Sequence, residues 1–207
     1  MKHILLLLSL ICCLAANSNA QESSKQFSPI EKVRFGAKVG LNVSNTNFNR
    51  GVPPPVVPVG TKWKSGIAVG FLVQVPISRA FSLQQEYLFS QMGGEITDSG
   101  TEYKFSYLSL PLLLKYGLLS RFAVFAGPQF DFLIQAKQQV SGTSLDITHD
   151  TEERSVGATA GVEYYVLKNV SLTGRYMHGL NHIGIGQRSN ITEFMYESVQ
   201  VAAEVKF

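Results

Sequence analysis

The chain of 207 residues carries 18 Lys and Arg against 15 Asp and Glu, a formal net charge of +3. The basic residues are scattered along it, which excludes the clustered footprint of a nucleic-acid binder. The only cysteines, Cys12 and Cys13, lie side by side near the N-terminus, which excludes a disulfide framework for the rest.

The first stretch, "MKHILLLLSLICCLAANSNA", has a short basic head, an apolar run and a small-residue end. It reads as a secretory signal peptide over residues 1–20, cleaved between Ala20 and Gln21. The apolar run is too short to span a bilayer. Residues 21–32, "QESSKQFSPIEK", read as a short flexible periplasmic leader, and residues 33–207 as one domain.

In "VRFGAKVGLNVS" the odd positions Val33, Phe35, Ala37, Val39, Leu41 and Val43 are apolar. Their even neighbours are polar or glycine. Period-two alternation is the mark of a strand with two unlike faces. Twelve residues at roughly 3.3 Å each, tilted by about 45°, cover roughly 28 Å, the height of a bilayer's hydrocarbon layer.

The rhythm returns in "KSGIAVGFLVQV" and in "FSLQQEYLFS", where Gln85 is the one polar residue on the apolar side. In "EYKFSYLSLPLLLKYG", Leu108, Leu110, Leu112, Leu114 and Tyr116 share a face. "FAVFAGPQFDFLIQAK" sets Phe122, Val124, Phe130, Phe132 and Ile134 against Gln129, Asp131, Gln135 and Lys137. "SVGATAGVEYYV", "VSLTGRYMHGL" and "ESVQVAAEVKF" complete eight segments. The connections alternate between short ("PISR", "LLSR", "LKN") and long, the pattern of an up-and-down barrel.

Eight strands also build soluble barrels, so the decision rests on which face points outward. The polar face is rich in Gly, Ser and Thr, which suit a crowded lumen. Its charges are few and of both signs, whereas a solvated exterior of this area carries many more. A lipid-facing charge at mid-depth costs about 2–4 kcal/mol, and the apolar faces carry almost none. The expected fold is therefore all-β, an eight-stranded antiparallel transmembrane barrel of a Gram-negative outer membrane. Short turns and both ends of the barrel are placed in the periplasm. Trp63, Tyr103, Phe105, Tyr107, Tyr116, Phe122, Phe194, Tyr196 and Phe207 are expected in two aromatic girdles at the membrane interfaces. Val199, Val201, Ala203, Val205 and Phe207 match the C-terminal signal read by barrel assembly machinery.

Five stretches, "GAKVGLNVSN", "SLQQEYLFSQMGG", "YLSLPLLLKYG", "FAGPQFDFLI" and "GVEYYVLKNVSLTGRYMHGLNHI", resemble in this order the PorT-type outer-membrane β-barrel family, porin-like small barrels of Bacteroidota. The resemblance covers nearly all of the chain after the leader and implies the same eight-stranded barrel. One namesake in that family is associated with type IX protein secretion, a role that the pattern alone does not carry over to this chain.

The lumen of so small a barrel is just wide enough for side chains to fill. Arg34, Lys38, Glu86, Lys115, Asp131, Glu163, Arg175 and Glu204 are expected to pair there, because isolated buried charges are very costly. Lys206 shares their face. His149 and His182 fall in loops and His178 near the outer rim, without a recognisable nucleophile. "LDITHDTEE" offers oxygen ligands at no known metal-site spacing, and "GVPPPVVPVG" reads as a stiff surface segment. No catalytic residue, cofactor or metal is assigned. The sequence points to a monomeric, non-enzymatic barrel in contact with outer-membrane lipid and lipopolysaccharide, with an envelope structure or interaction role. The alternatives are a subunit of a secretion or transport complex and a lipid-modifying enzyme.

Overall fold

The computed structural model describes residues 32–51, 55–97, 99–140, 142–186 and 192–207. The expected signal peptide and all but Lys32 of the leader lie outside them. Long alternating segments leave the backbone one way to satisfy its polar groups without water, which is to pair every strand edge. Eight long strands do so: β1 (Arg34–Asn47), β2 (Thr61–Pro76), β3 (Phe81–Ile96), β4 (Thr101–Leu119), β5 (Phe122–Val140), β7 (Arg154–Tyr165), β8 (Val170–Gly179) and β10 (Thr192–Lys206). They run antiparallel in the order β1-β2-β3-β4-β5-β7-β8-β10, and β10 closes on β1 from Gly36↔Lys206 to Asn47↔Met195. Two short strands sit in the long loops. β6 (Thr143–Asp146) pairs with β5, and β9 (Ile183–Ile185) with β10. At the seam a Cβ on Gly40 would stand 2.6 Å from the Val201 carbonyl, so that position accepts no side chain while β10 lies this close.

The faces are inverted relative to a water-soluble sheet. Val39, Leu41, Phe71 and Val201 point outward and are exposed, Val201 by 62 %. Lys38, Glu86, Lys115 and Glu163 point inward and are buried. Among the described residues no helix is long and apolar enough to cross a membrane; the strands form the wall.

Two irregularities of the wall bear on side-chain placement and backbone pairing. On β5, the pairing steps from Ser106↔Gln135 to Tyr107↔Leu133, so Ile134 is an extra residue. A one-residue bulge flips every side chain beyond it. Lys137, expected in the lumen, is therefore exposed outside while Ala136 is fully buried.

The second is Pro111 in mid-β4, where the register holds but two ladder pairs are missing. The β3–β4 ladder jumps from Gln85↔Leu112 to Leu88↔Ser109. Pro111 has no N–H to give its partner, which orphans the Glu86 carbonyl. Gln85, the polar exception on the lipid side, donates from Nε2 to that carbonyl at 3.0 Å. A Gln85→Leu substitution looks favourable on an apolar face but is expected to destabilise the barrel by about 1–3 kcal/mol, because the carbonyl loses its donor where no water replaces it. Urea unfolding in vesicles checks this, and a stabilised variant would rule the role out.

Candidate functional site

The lumen is filled in tiers. Nearest the tight turns, three carboxylates and four cations interlock. Lys38 Nζ lies 3.0 Å from Glu86 Oε1 and 3.1 Å from Glu204 Oε1. Arg175 Nη1 donates to Glu86 Oε2 at 2.9 Å. Lys115 Nζ meets Glu163 Oε2 at 2.7 Å and Glu204 Oε2 at 3.6 Å. Lys206 pairs with Glu163 and, at 3.0 Å, with Glu204. Neutral donors complete the carboxylates: Gln84 to Glu86, and Ser171 and Tyr165 to Glu163. Each of these charges needs its partners, since a buried ion survives only when compensated.

Of the eight residues expected in the network, six thus lie in this tier. Asp131 is buried higher up, where its Oδ1 accepts from Gln129 Nε2 at 2.9 Å, with no cation at ion-pair distance. It brings buried anions and cations among the described residues to equal number. Arg34 stands apart, half-buried at the rim and without an ion pair among the described residues. Lys206 enters instead, for it shares the inward parity of Glu204. Beside Asp131, Ser109 and Ser155 flank it by register from β4 and β7. Across the seam Gln200 Nε2 donates to Asn42 Oδ1 at 2.6 Å.

Toward the long loops the lumen turns apolar. Phe105, Tyr107, Phe194 and Tyr196 are buried inside it, together with Phe48, Met92, Tyr103, Ile147, Met177 and Ile183. Tyr196 meets Phe194 and Tyr107 edge-on, with ring centroids 5.0 and 5.8 Å apart. Quadrupoles favour this edge-to-face arrangement. It corrects the expected girdle. Tyr103, Phe105, Tyr107, Phe194 and Tyr196 plug the barrel, whereas Trp63, Tyr116, Phe122 and Phe207 do face outward. Phe48 is carried in by the 3-10 turn Phe48–Arg50 that follows β1.

Outside, above the apolar band, Lys62 and Lys64 meet Glu95 at 3.0 and 2.6 Å, and Lys104 meets Glu102 at 3.4 Å. Hydrogen bonds from Lys64 and Lys62 hold the Glu95 carboxyl below the usual carboxylate range. His178 also faces outward. Its Nε2 accepts from Arg50 at 3.2 Å, and its Nδ1 lies 3.8 Å from Glu197. His149 lies in the 3-10 turn Thr148–Asp150, where Asp146 accepts from Thr148 N at 2.9 Å. Among the described residues no three His, Cys, Asp or Glu are grouped to hold a metal. At the opposite end Arg79, Ser82, Lys115 and Tyr165 line a small cleft.

The sequence profile of a family described as "Outer membrane protein beta-barrel domain" matches residues 19–184. No curated protein matches the sequence. Among solved structures, the chain is similar to Ail, the attachment invasion locus protein of Yersinia pestis, at 12 % identity over 85 % of this chain and 99 % of that one, with a TM-score of 0.51. Neisserial surface protein A gives 13 % identity, 84 % and 97 % coverage and a TM-score of 0.50. AlkL in lipid bilayers gives 12 % identity, 92 % and 96 % coverage and a TM-score of 0.50. At such identities the likeness concerns the fold alone.

Proposed function

Because the chain belongs to the outer membrane protein beta-barrel domain family, we propose that it is a closed, non-enzymatic outer-membrane barrel that carries its four long loops to the cell exterior. The two-tier filling of the lumen carries this reading. An ionic tier and an aromatic plug fill the lumen with buried side chains, the arrangement expected to block a water path, and the long-loop rim is the surface free to vary in chemistry. In this reading the tight turns and both barrel ends face the periplasm.

The test is conductance. The purified barrel in planar bilayers should show no current steps above the lipid baseline. Discrete, ion-selective steps would make it a pore instead.

A second reading, as a subunit of a secretion or transport complex, is favoured by Val56 and Val57 in the first long loop, which are almost wholly exposed. Single exposed apolar residues are ordinary, but two adjacent ones on a proline-rich loop offer a partner a small apolar contact. Extraction of the native protein in mild detergent separates the readings: a stoichiometric companion supports the complex, a lone barrel the first proposal.

A further inference from the structure

Among the described residues, the exposed charged side chains of the tight turns are all cationic. Arg79 lies in the turn at 77–80, Arg121 in that at 120–121, Lys168 in that at 166–169, and Arg34 opens β1. None of these turns contains Asp or Glu. Arg79, Arg121 and Lys168 are exposed, and none makes an ion pair among the described residues. The opposite rim differs, since there Glu95 and Glu102 answer Lys62, Lys64 and Lys104, and Glu197 answers Arg50.

Every one of these cations also sits beside large exposed apolar side chains. Ile77 and Phe81 flank Arg79, Leu119 and Phe122 flank Arg121, and Leu167 adjoins Lys168. These residues continue the lipid-facing band to the edge of the wall. Arg and Lys at such positions lay their stems along apolar surface and lift their charged heads to the phosphate level.

We propose that the tight-turn rim is a docking surface for anionic phospholipid headgroups, whose phosphates pair with Arg79, Arg121 and Lys168. The inference rests on the outer-membrane reading above. Charge complementarity and continuity with the lipid-facing band select this occupant. The cations are also spread over three separate hairpins around the ring. An annulus of lipids touches all three at once, whereas a soluble acidic partner would engage one side.

Each Lys or Arg beside an anionic membrane surface favours it by roughly fivefold. The experiment refolds the protein into phosphatidylcholine vesicles and reads its first lipid shell with spin-labelled phosphatidylglycerol and phosphatidylcholine probes. Phosphatidylglycerol should be enriched by roughly threefold or more. Combining Arg79→Gln, Arg121→Gln and Lys168→Gln should abolish the enrichment, and high salt should weaken it. Lys62→Gln with Lys104→Gln, on the other rim, should leave it unchanged. Equal shells in the wild type, or enrichment that survives the triple substitution, would overturn the proposal. If the triple variant does not insert, Arg79→Gln and Lys168→Gln alone decide, each being expected to lower the enrichment. A wild type that does not insert, seen as the same gel mobility boiled and unboiled, would instead sink the outer-membrane reading.

Discussion

Replacing Glu163 with Leu is expected to lower the stability of the barrel by about 3–5 kcal/mol. Glu163 is the acceptor for Lys115, Lys206, Ser171 and Tyr165 at once. Its loss strands two buried ammonium groups on Glu204 alone, and an uncompensated charge in the lumen costs far more than the pair contributes. Urea titration in vesicles, followed through the fluorescence of the single tryptophan, Trp63, reads the change. Substituting the partners together (Lys115→Met, Glu163→Leu, Lys206→Met) should recover much of the loss, because it removes both stranded ammonium groups with the carboxylate and leaves Lys38 and Arg175 facing Glu86 and Glu204. A single variant that unfolds at the wild-type urea concentration would show that the tier is not what holds the lumen.

The second large effect is expected at Phe105→Ala, a loss of about 3–5 kcal/mol from the cavity left in a packed cluster. Phe105 lies 5.6 Å from Phe194 and 5.7 Å from Tyr196, centroid to centroid. Phe130→Ala, on the lipid face, should cost less, because lipid chains fill the space. The same urea titration compares them. The Phe105 variant should still pass no current, since the ionic tier below remains whole. If current does pass, the plug rather than the ions seals the barrel.

The barrel itself was legible in the sequence because alternation is a local property. Twelve residues from Val33 onward declare both the strand and its length, and the alternation of long and short loops declares the topology. The lumen was legible by parity wherever parity was carried along a strand. Glu204 and Lys206 share one face because they are two residues apart. The plug was legible in the same way. Leu108 to Tyr116 set the even positions of β4 outward, so Tyr103, Phe105 and Tyr107 had to point inward. Phe194 and Tyr196 share the parity of Ser198 and Gln200. Reading them as a girdle followed their composition and position near strand ends, and ignored that signal. What no parity rule reveals is a bulge. The extra residue at Ile134 depends on how β5 meets β4, and it moves Lys137 to the opposite face. Nor does sequence show which carboxylate meets which cation, because that depends on tilt and stagger around the ring.

Glu204 occupies a position with a temporal meaning. Lys38 and Glu86 are 48 residues apart, as are Lys115 and Glu163. Each of these pairs belongs to a run of neighbouring strands that can meet early. Glu204 arrives with the last strand, beside Gln200, whose partner Asn42 is 158 residues away. It then touches both Lys38 and Lys115 and joins two islands into one network. Contacts at the greatest separation form last, after the entropy of closing the whole loop has been met. Interactions made after the transition state govern how fast a fold comes apart rather than how fast it forms. Glu204 is thus a latch on the finished ring, setting how long the barrel stays shut once it has closed.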